Sequence, residues 1–390
     1  MTRRVPVVAC TVALELARIL ARIVGRQSGR ASIDNENMEA SPFILAWTKP
    51  AITAQDRAIL KLTVSSLEDG GLARRRQVLV DLLRLGGVSG AATGLAVWLR
   101  SLSRRPQEDR AAEVRRDLRV PPDPAWPDLA VATGDDPRTL VRRAVHALGG
   151  AGRFVARGDV VLVKPNMAWD RMPAQAANTN PAVIAETVRL MLEAGARRVI
   201  VTDVSINEPR RCFERSGIAE AARAAGATIV LPGEGGFRDV RLRGEVLDAW
   251  PVFQPFLEAD KVINAPVAKH HSLTGASLGI KNWYGILGGE RRQLHQHIHE
   301  SLADLASFMR PTLTILDAWR VLKRNGPSGG DQSDVELRRT VLAGTDPVAV
   351  DAWAAQSCFN LDENTLRYLA LAASRGLGTT RFESLRIAAV

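Results

Sequence analysis

Residues 160–203 read VVLVKPNMAWDRMPAQAANTNPAVIAETVRLMLEAGARRVIVTD. The β-branched run at 160–163 predicts a strand that stops at Lys164-Pro165-Asn166. Pro181 stands in the first turn of a predicted helix that reaches Glu193 and closes at Gly195. Residues 199–201 are the next strand, ending on Asp203. Strand, helix, strand in this order is a βαβ unit, and such units build parallel sheets.

The alternation continues outward on both sides. A short apolar run at 129–132 precedes a helix capped by Asp136 and running to about His146. Beyond Asp203 a helix is expected over about 210–224 with Gly226 as its stop, then a strand at 228–231. Further strands are expected at 261–264, 312–316 and 340–343, with helices at about 295–309, 347–357 and 363–374. Residues 237–252 lack helical period and suggest a β insertion or edge strand. The fold class expected is α/β, a mostly parallel sheet with helices on both faces, preceded by N-terminal helical and targeting segments.

At 390 residues, with 46% hydrophobic and 24% charged residues, the composition is that of a globular protein. The net charge of +10 is unevenly placed: residues 1–126 carry 20 Lys and Arg against 13 Asp and Glu. That placement suits targeting or an anionic membrane surface, and without a basic stripe bearing aromatics no nucleic-acid partner is expected. Cys10, Cys212 and Cys358 are too far apart for a zinc knuckle or an iron–sulfur cluster.

Four segments are expected. Residues 1–73 form an N-terminal helical extension, which a true start codon further along would remove. Residues 74–100 pair Arg75 and Arg76 with a weakly apolar run from Leu85 to Leu99, the layout of a twin-arginine export signal or anchor. Residues 101–127 are charged and end in prolines, as linkers do, and the α/β domain occupies 128–390. A periplasmic or membrane-attached protein is the expectation, a cytoplasmic one the alternative.

In parallel sheets ligands bind outside the carboxyl ends of the strands. Those ends carry Lys164 and Asn166, Asp203, Lys269 with His270 and His271, Asp317, and Asp346. The stretch 264–304 holds five of the six histidines. On a helix from Leu294, His295 and His299 share a flank and make a candidate metal pair, completed by His270 or His271. The competing reading is an anion site: Lys164, Lys269 and Lys281 as cations, Thr274 and Asn282 as neutral donors. The glycines at 285, 288 and 289 and the NGPSGG turn at 325–330 let backbone approach a ligand. His270, His271 and Lys281 are the candidate acid–base residues, and Asn166, Asp203, Asp317 and Asp346 line the ligand.

The blocks VLVKPN (161–166), INAPVAKHHSLTGASLGIKNWYGIL (263–287), LHQHIHESLADL (294–305), NGPSGG (325–330) and AGTDPVAVDA (343–352) resemble the domain of unknown function 362 family. The resemblance implies an α/β domain over about 128–377, and twin-arginine signals occur among its members. Other members append a ferredoxin-like module whose cluster cysteines this chain lacks, so no iron–sulfur cluster is expected. Two functions follow. One is an exported protein whose Lys/His/Asn cleft binds a small anionic ligand and performs acid–base chemistry on it. The other is a non-catalytic metal- or ligand-binding protein of the cell envelope, with a divalent metal as candidate cofactor.

Overall fold

The computed structural model describes residues 112–113, 116–233 and 236–390. The N-terminal helix, the arginine pair and most of the expected linker lie outside them.

In chain order the first elements are β1 (Ala112–Glu113), β2 (Arg116–Asp117), β3 (Leu129–Thr133), α1 (Pro137–Ala147), β4 (Val160–Pro165) and α2 (Pro181–Glu193). Next come β5 (Arg198–Val201), α3 (Pro209–Arg215), α4 (Ile218–Ala224), β6 (Thr228–Ile229), β7 (Phe237–Arg241), β8 (Ala249–Phe253) and α5 (Pro255–Glu258). They are followed by β9 (Lys261–Ala265), β10 (Val267–His271), β11 (Gly275–Ser277), α6 (Gly279–Asn282), α7 (Ile298–Phe308), β12 (Met309–Arg310) and β13 (Leu313–Leu322). The chain closes with β14 (Val335–Gly344), α8 (Pro347–Phe359), α9 (Arg367–Ser374) and β15 (Ile387–Ala389).

Ten strands form the main sheet, ordered β15-β3-β14-β13-β9-β4-β5-β6, with β10 and β11 added off the end of β13. Along this path β14 alone runs against its neighbours. The others are parallel, as the βαβ pattern requires.

Alternate residues of one strand feed opposite faces, as the two-residue period dictates. Val161 and Val163 pack with Val141 of α1, Val188 of α2 and Ala222 of α4. Leu162 joins Leu302 of α7, Val350 of α8 and Leu369 of α9 on the other face. Helices therefore cover both faces, and each fully buried aliphatic side chain contributes about 2 kcal/mol.

Helix ends follow local chemistry. Asp136 accepts the Thr139 amide at 3.0 Å, and Asn180 accepts that of Ala182 at 2.9 Å. The single helix expected over 210–224 breaks into α3 and α4 at Gly217, whose φ of +70° suits glycine.

Three expectations need correction. The domain reaches further back than Asp128: β2 pairs with β12 and β1 with β7, so part of the expected linker is strand. The strands expected at 312–316 and 340–343 are each ten residues long, because they continue as a hairpin through Arg320, Arg338 and Arg339, whose charges hide the apolar signal. Residues 267–271, which the expected strand at 261–264 leaves out, form strand β10, which continues β9 past Pro266 and pairs with the outer half of β13.

Candidate functional site

Because β4, β5, β9 and β10 are parallel, their ends share one edge of the sheet. Lys164 is the penultimate residue of β4, Asn166 follows it, and Asp203 lies two residues past β5. On β10 the two-residue period puts Lys269 and His271 on one face and His270 on the other. The short helix α6 adds Lys281 and Asn282.

These residues form one hydrogen-bonded network. Lys164 Nζ donates to Asp203 Oδ1 at 2.8 Å, to Asn282 Oδ1 at 3.1 Å and to the Pro165 carbonyl at 3.1 Å, using all three of its protons. The other oxygen of Asp203 accepts the Met167 amide at 2.7 Å. Asn166 Nδ2 donates to Asn282 Oδ1 at 3.1 Å. Asn282 Nδ2 donates to Asn264 Oδ1 at 2.8 Å, and Asn264 Nδ2 to the Gly279 carbonyl at 2.9 Å. Lys269 Nζ donates to Asn166 Oδ1 at 3.0 Å and to the Ala177 carbonyl at 2.6 Å, leaving one proton uncommitted.

Charge is unbalanced here. Lys164, Lys269 and Arg291 all feel the attraction of Asp203, and no second carboxylate acts on them among the described residues. Burial lowers the Lys164 ammonium pKa and brings that of Lys269 down to about 7.

Lys281 differs from both. It is 6% exposed, burial brings it to about 7, and its Nζ lies 4.5 Å from the centre of the Tyr284 ring. Among the described residues its ammonium has no hydrogen-bond acceptor. His295 meets the same tyrosine ring edge-on, with centroids 5.9 Å apart.

Two histidines near this amine have opposite tautomers. His271 Nδ1 accepts the Leu273 amide at 3.1 Å, so its proton sits on Nε2. Burial, then Lys281 and Lys269, depress its pKa to about 2, so it is a neutral hydrogen-bond donor and no base. His295 Nδ1 lies 3.3 Å from the Arg292 carbonyl, which can only accept, so Nε2 keeps the lone pair. Burial and Lys281 also lower the His295 pKa, favouring the neutral base.

The edge therefore gathers Lys164, Asn166, Asp203, Lys269, His271, Lys281 and Asn282. Other expected members have other partners, and one lies at another edge. Asp346 is at the opposite edge, because β14 runs antiparallel; it caps α8, accepting the Val348 and Ala349 amides at 2.9 Å. Asp317 spends both oxygens on backbone, the Asn180 amide at 2.7 Å and the Trp319 amide at 2.9 Å. Thr274 is buried in the β10–β11 turn and donates to the Ala276 carbonyl at 2.9 Å. His270 turns away and accepts the Gly326 amide at 3.2 Å, tying the NGPSGG loop to β10.

The helical pairing of His295 with His299 also changes. A 3-10 stretch over Arg291–His297 precedes α7, so the 3.6-residue period does not run through both residues. His299 stacks on Tyr368 at 6.4 Å instead. Among the described residues no group of three or more His, Cys, Asp or Glu could hold a metal ion. Cys212 and Cys358 are free and buried, and burial pushes both thiols up to about 11, so neither offers a thiolate at neutral pH.

Several contributors escaped the strand-end argument. Asn264 is internal to β9, and Asp351 lies mid-helix in α8. Asp351 grips the start of α6, its Oδ1 accepting the Gly279 amide at 2.7 Å and its Oδ2 the Ile280 amide at 2.8 Å. Arg291 donates to the Val204 and Ser205 carbonyls at 2.7 and 2.6 Å, bracing the loop after Asp203. Gly285 packs against the ion pair: a Cβ there would stand 1.9 Å from Asp203 Oδ1 and 2.7 Å from Lys164 Nζ. A polar asparagine after the apolar pair Val262-Ile263, and an aspartate between Val350 and Ala352 in a helix, were the available signals.

A cavity of about 500 Å³ between α1 and α2, lined by Arg142, His146 and Glu193 among others, shares no residue with this edge. No helix among the described residues is long and apolar enough to cross a membrane.

The family profile described as Domain of unknown function (DUF362) matches residues 161–356. The thylakoid-associated protein sll1697 of Synechocystis sp. is 29% identical over 258 residues, covering 62% of this chain and 76% of its own. Among solved structures, the lactate racemase apoprotein of Thermoanaerobacterium thermosaccharolyticum aligns with a TM-score of 0.33 at 13% identity, over 55% of this chain and 53% of its own. A protein of Thermotoga maritima aligns with a TM-score of 0.31 at 12% identity, over 62% and 60% respectively. The chain thus spans between half and two-thirds of the solved structures it matches.

Proposed function

Since the chain belongs to the Domain of unknown function (DUF362) family, whose description names no reaction, we propose from the site itself that it binds a small anionic ligand and moves a proton on it. The observation that carries this reading is the cationic excess: Lys164, Lys269 and Arg291 share the carboxylate of Asp203, and Lys281 at the same edge has only burial acting on it. Buried cations need a counter-charge, and Lys164 already holds that carboxylate. The spare proton of Lys269 and the three of Lys281 are the donors left for a ligand, joined by Nε2–H of His271. His295 Nε2 is the lone pair able to take up a proton.

Lysines poised near neutrality make binding proton-linked. An anion stabilises the ammonium form, so ligand entry near pH 8 draws protons from solution. Titrating the full chain with inorganic phosphate, in two buffers of different ionisation enthalpy, tests this. Saturable binding with proton uptake is expected, and Lys281→Met abolishes it while the protein stays folded. Unsaturable binding, or binding indifferent to Lys281, refutes the reading.

We propose also that the chain is exported or membrane-attached through residues 74–100. The arginine pair before a weakly apolar run supports this, and the Synechocystis relative is named for its association with thylakoids. Fractionation of cells expressing the chain with Arg75 and Arg76 changed to lysine tests it: the wild type should leave the cytosol and the variant remain there.

A further inference from the structure

The three lysines at the sheet edge differ in what occupies their amines. Lys164 has three acceptors, Lys269 has two, and Lys281 has none among the described residues. Lys281 is 6% exposed, and no protein acceptor among the described residues holds its amine, which leaves it free for a ligand. The Tyr284 ring stands on one side of it, and the charges of Lys281 and Lys269 both act on His271.

Around this amine stand complementary hydrogen-bonding groups. The Nε2–H of His271 donates only, and the Nε2 lone pair of His295 accepts only. Lys269, with one uncommitted proton, supplies positive charge nearby. A nucleophilic amine, a donor for a developing alkoxide, a base for the amine protons and a cation for a carboxylate are what carbonyl capture requires.

We propose that Lys281 forms an imine with a small oxo acid, a carboxylate bearing an aldehyde or ketone; this rests on the anion-binding reading and names its ligand class. Lys281 Nζ attacks the carbonyl carbon, forming the C–N bond while the C=O π pair moves to oxygen, which His271 Nε2–H stabilises. His295 Nε2 takes a proton from the nitrogen and delivers it to the oxygen. The nitrogen lone pair then closes the C=N double bond as the C–O bond breaks, and the second N–H proton passes through His295 Nε2 to the departing hydroxyl. One water leaves, carrying both hydrogens of the amine and the oxygen of the carbonyl. No electrons are exchanged with an outside partner. Lys164 cannot substitute, because its three protons are committed, and attack by Lys269 would break its bonds to Asn166 and Ala177.

The test uses the full chain with glyoxylate and sodium cyanoborohydride, which reduces an imine to a stable secondary amine. One carboxymethyl group per chain is expected, mapped by peptide mass spectrometry to Lys281, at pH 7 on the order of a hundredfold faster than at any other lysine. Acetaldehyde, lacking the carboxylate, should react at Lys281 at least about tenfold more slowly. Lys281→Arg should keep the fold and lose the adduct. Where that variant fails to fold, the pH profile of trapping in the wild type decides: the Lys281 rate should level off above pH 8, whereas ordinary lysines keep accelerating towards pH 10. Adducts spread over the lysines, or none at all, overturn the imine. If phosphate still binds saturably, the anion-binding reading survives that result; if phosphate binding fails too, both fall.

Discussion

Asp351 and Gly279 are 72 residues apart, yet the aspartate Oδ1 accepts the glycine amide at 2.7 Å, so a carboxylate in the middle of α8 sets where α6 begins. The bond to the Ile280 amide doubles the hold, and Lys281 is the next residue along. Burial outweighs both bonds and pushes the carboxyl up to about 7.

Asp351→Asn should therefore disturb the site from behind. A carboxamide cannot accept both amides with two separate oxygens, and its NH2 group would confront one of them. Destabilisation of about 1–3 kcal/mol is expected, with phosphate affinity reduced at least about tenfold as α6 shifts. Urea unfolding and phosphate titration measure the two effects. Unchanged affinity would separate Asp351 from the site.

Lys164→Met should be the most damaging single change at this edge. It strands Asp203 in a dry interior with only the Met167 amide and distant cations, at a cost of about 3–5 kcal/mol. The double change Lys164→Met with Asp203→Asn should recover part of that loss. A double-mutant cycle by urea unfolding reads the coupling, and additive losses would show that the pair does not act as one.

Lys281→Met is expected to do the reverse. Methionine fills a similar space against Tyr284 without an amine to desolvate, so the protein should gain about 1–3 kcal/mol while losing phosphate binding. A lower melting temperature would mean that the ammonium itself holds the fold together.

The pH dependence of stability follows from the same groups. Lys269 and Lys281 titrate at about 7 in the fold, against a usual 10.5, so from pH 7 to 10.5 the unfolded chain holds more protons. Stability from these two rises with pH through that window. Asp317 and Asp351 are raised to about 6 and about 7 from a usual 3.8, so the fold holds more protons between those limits. Their contribution is present in acid and is lost as pH rises towards 7. The two trends meet near neutrality, where these four groups together help least. Melting temperatures from pH 7 to 10 should climb in the wild type and climb less in Lys281→Met; equal slopes would contradict the assignment.

How much of this was readable beforehand varies by residue. The parallel core was legible because Val160, Val161 and Val163 stand beside a helix that begins at Pro181, a purely local pattern. The reversal of β14 was not, since hydrophobic runs carry no direction, and it alone sent Asp346 to the wrong edge. Lys269 and Lys281 were identified as site residues, but their different roles depend on which carbonyls lie within 3 Å, a tertiary fact. The histidine assignments failed for a local reason: Arg291–His297 winds as a 3-10 stretch, and projecting a regular helix through it misaligned His295 with His299. The opposite protonation of His271 and His295 comes from single backbone contacts that no spacing encodes.

Gly285 gives the ion pair a fingerprint. Any side chain at that position would occupy the space of the Asp203 carboxylate, so the ion pair and a Cβ there are mutually exclusive in this geometry. A related chain that keeps a lysine, an asparagine and an aspartate at the strand ends but bears alanine at this point must have rebuilt the turn or given up the pair. One hydrogen atom thus serves as a marker, legible in any sequence, for whether the edge can assemble in this form.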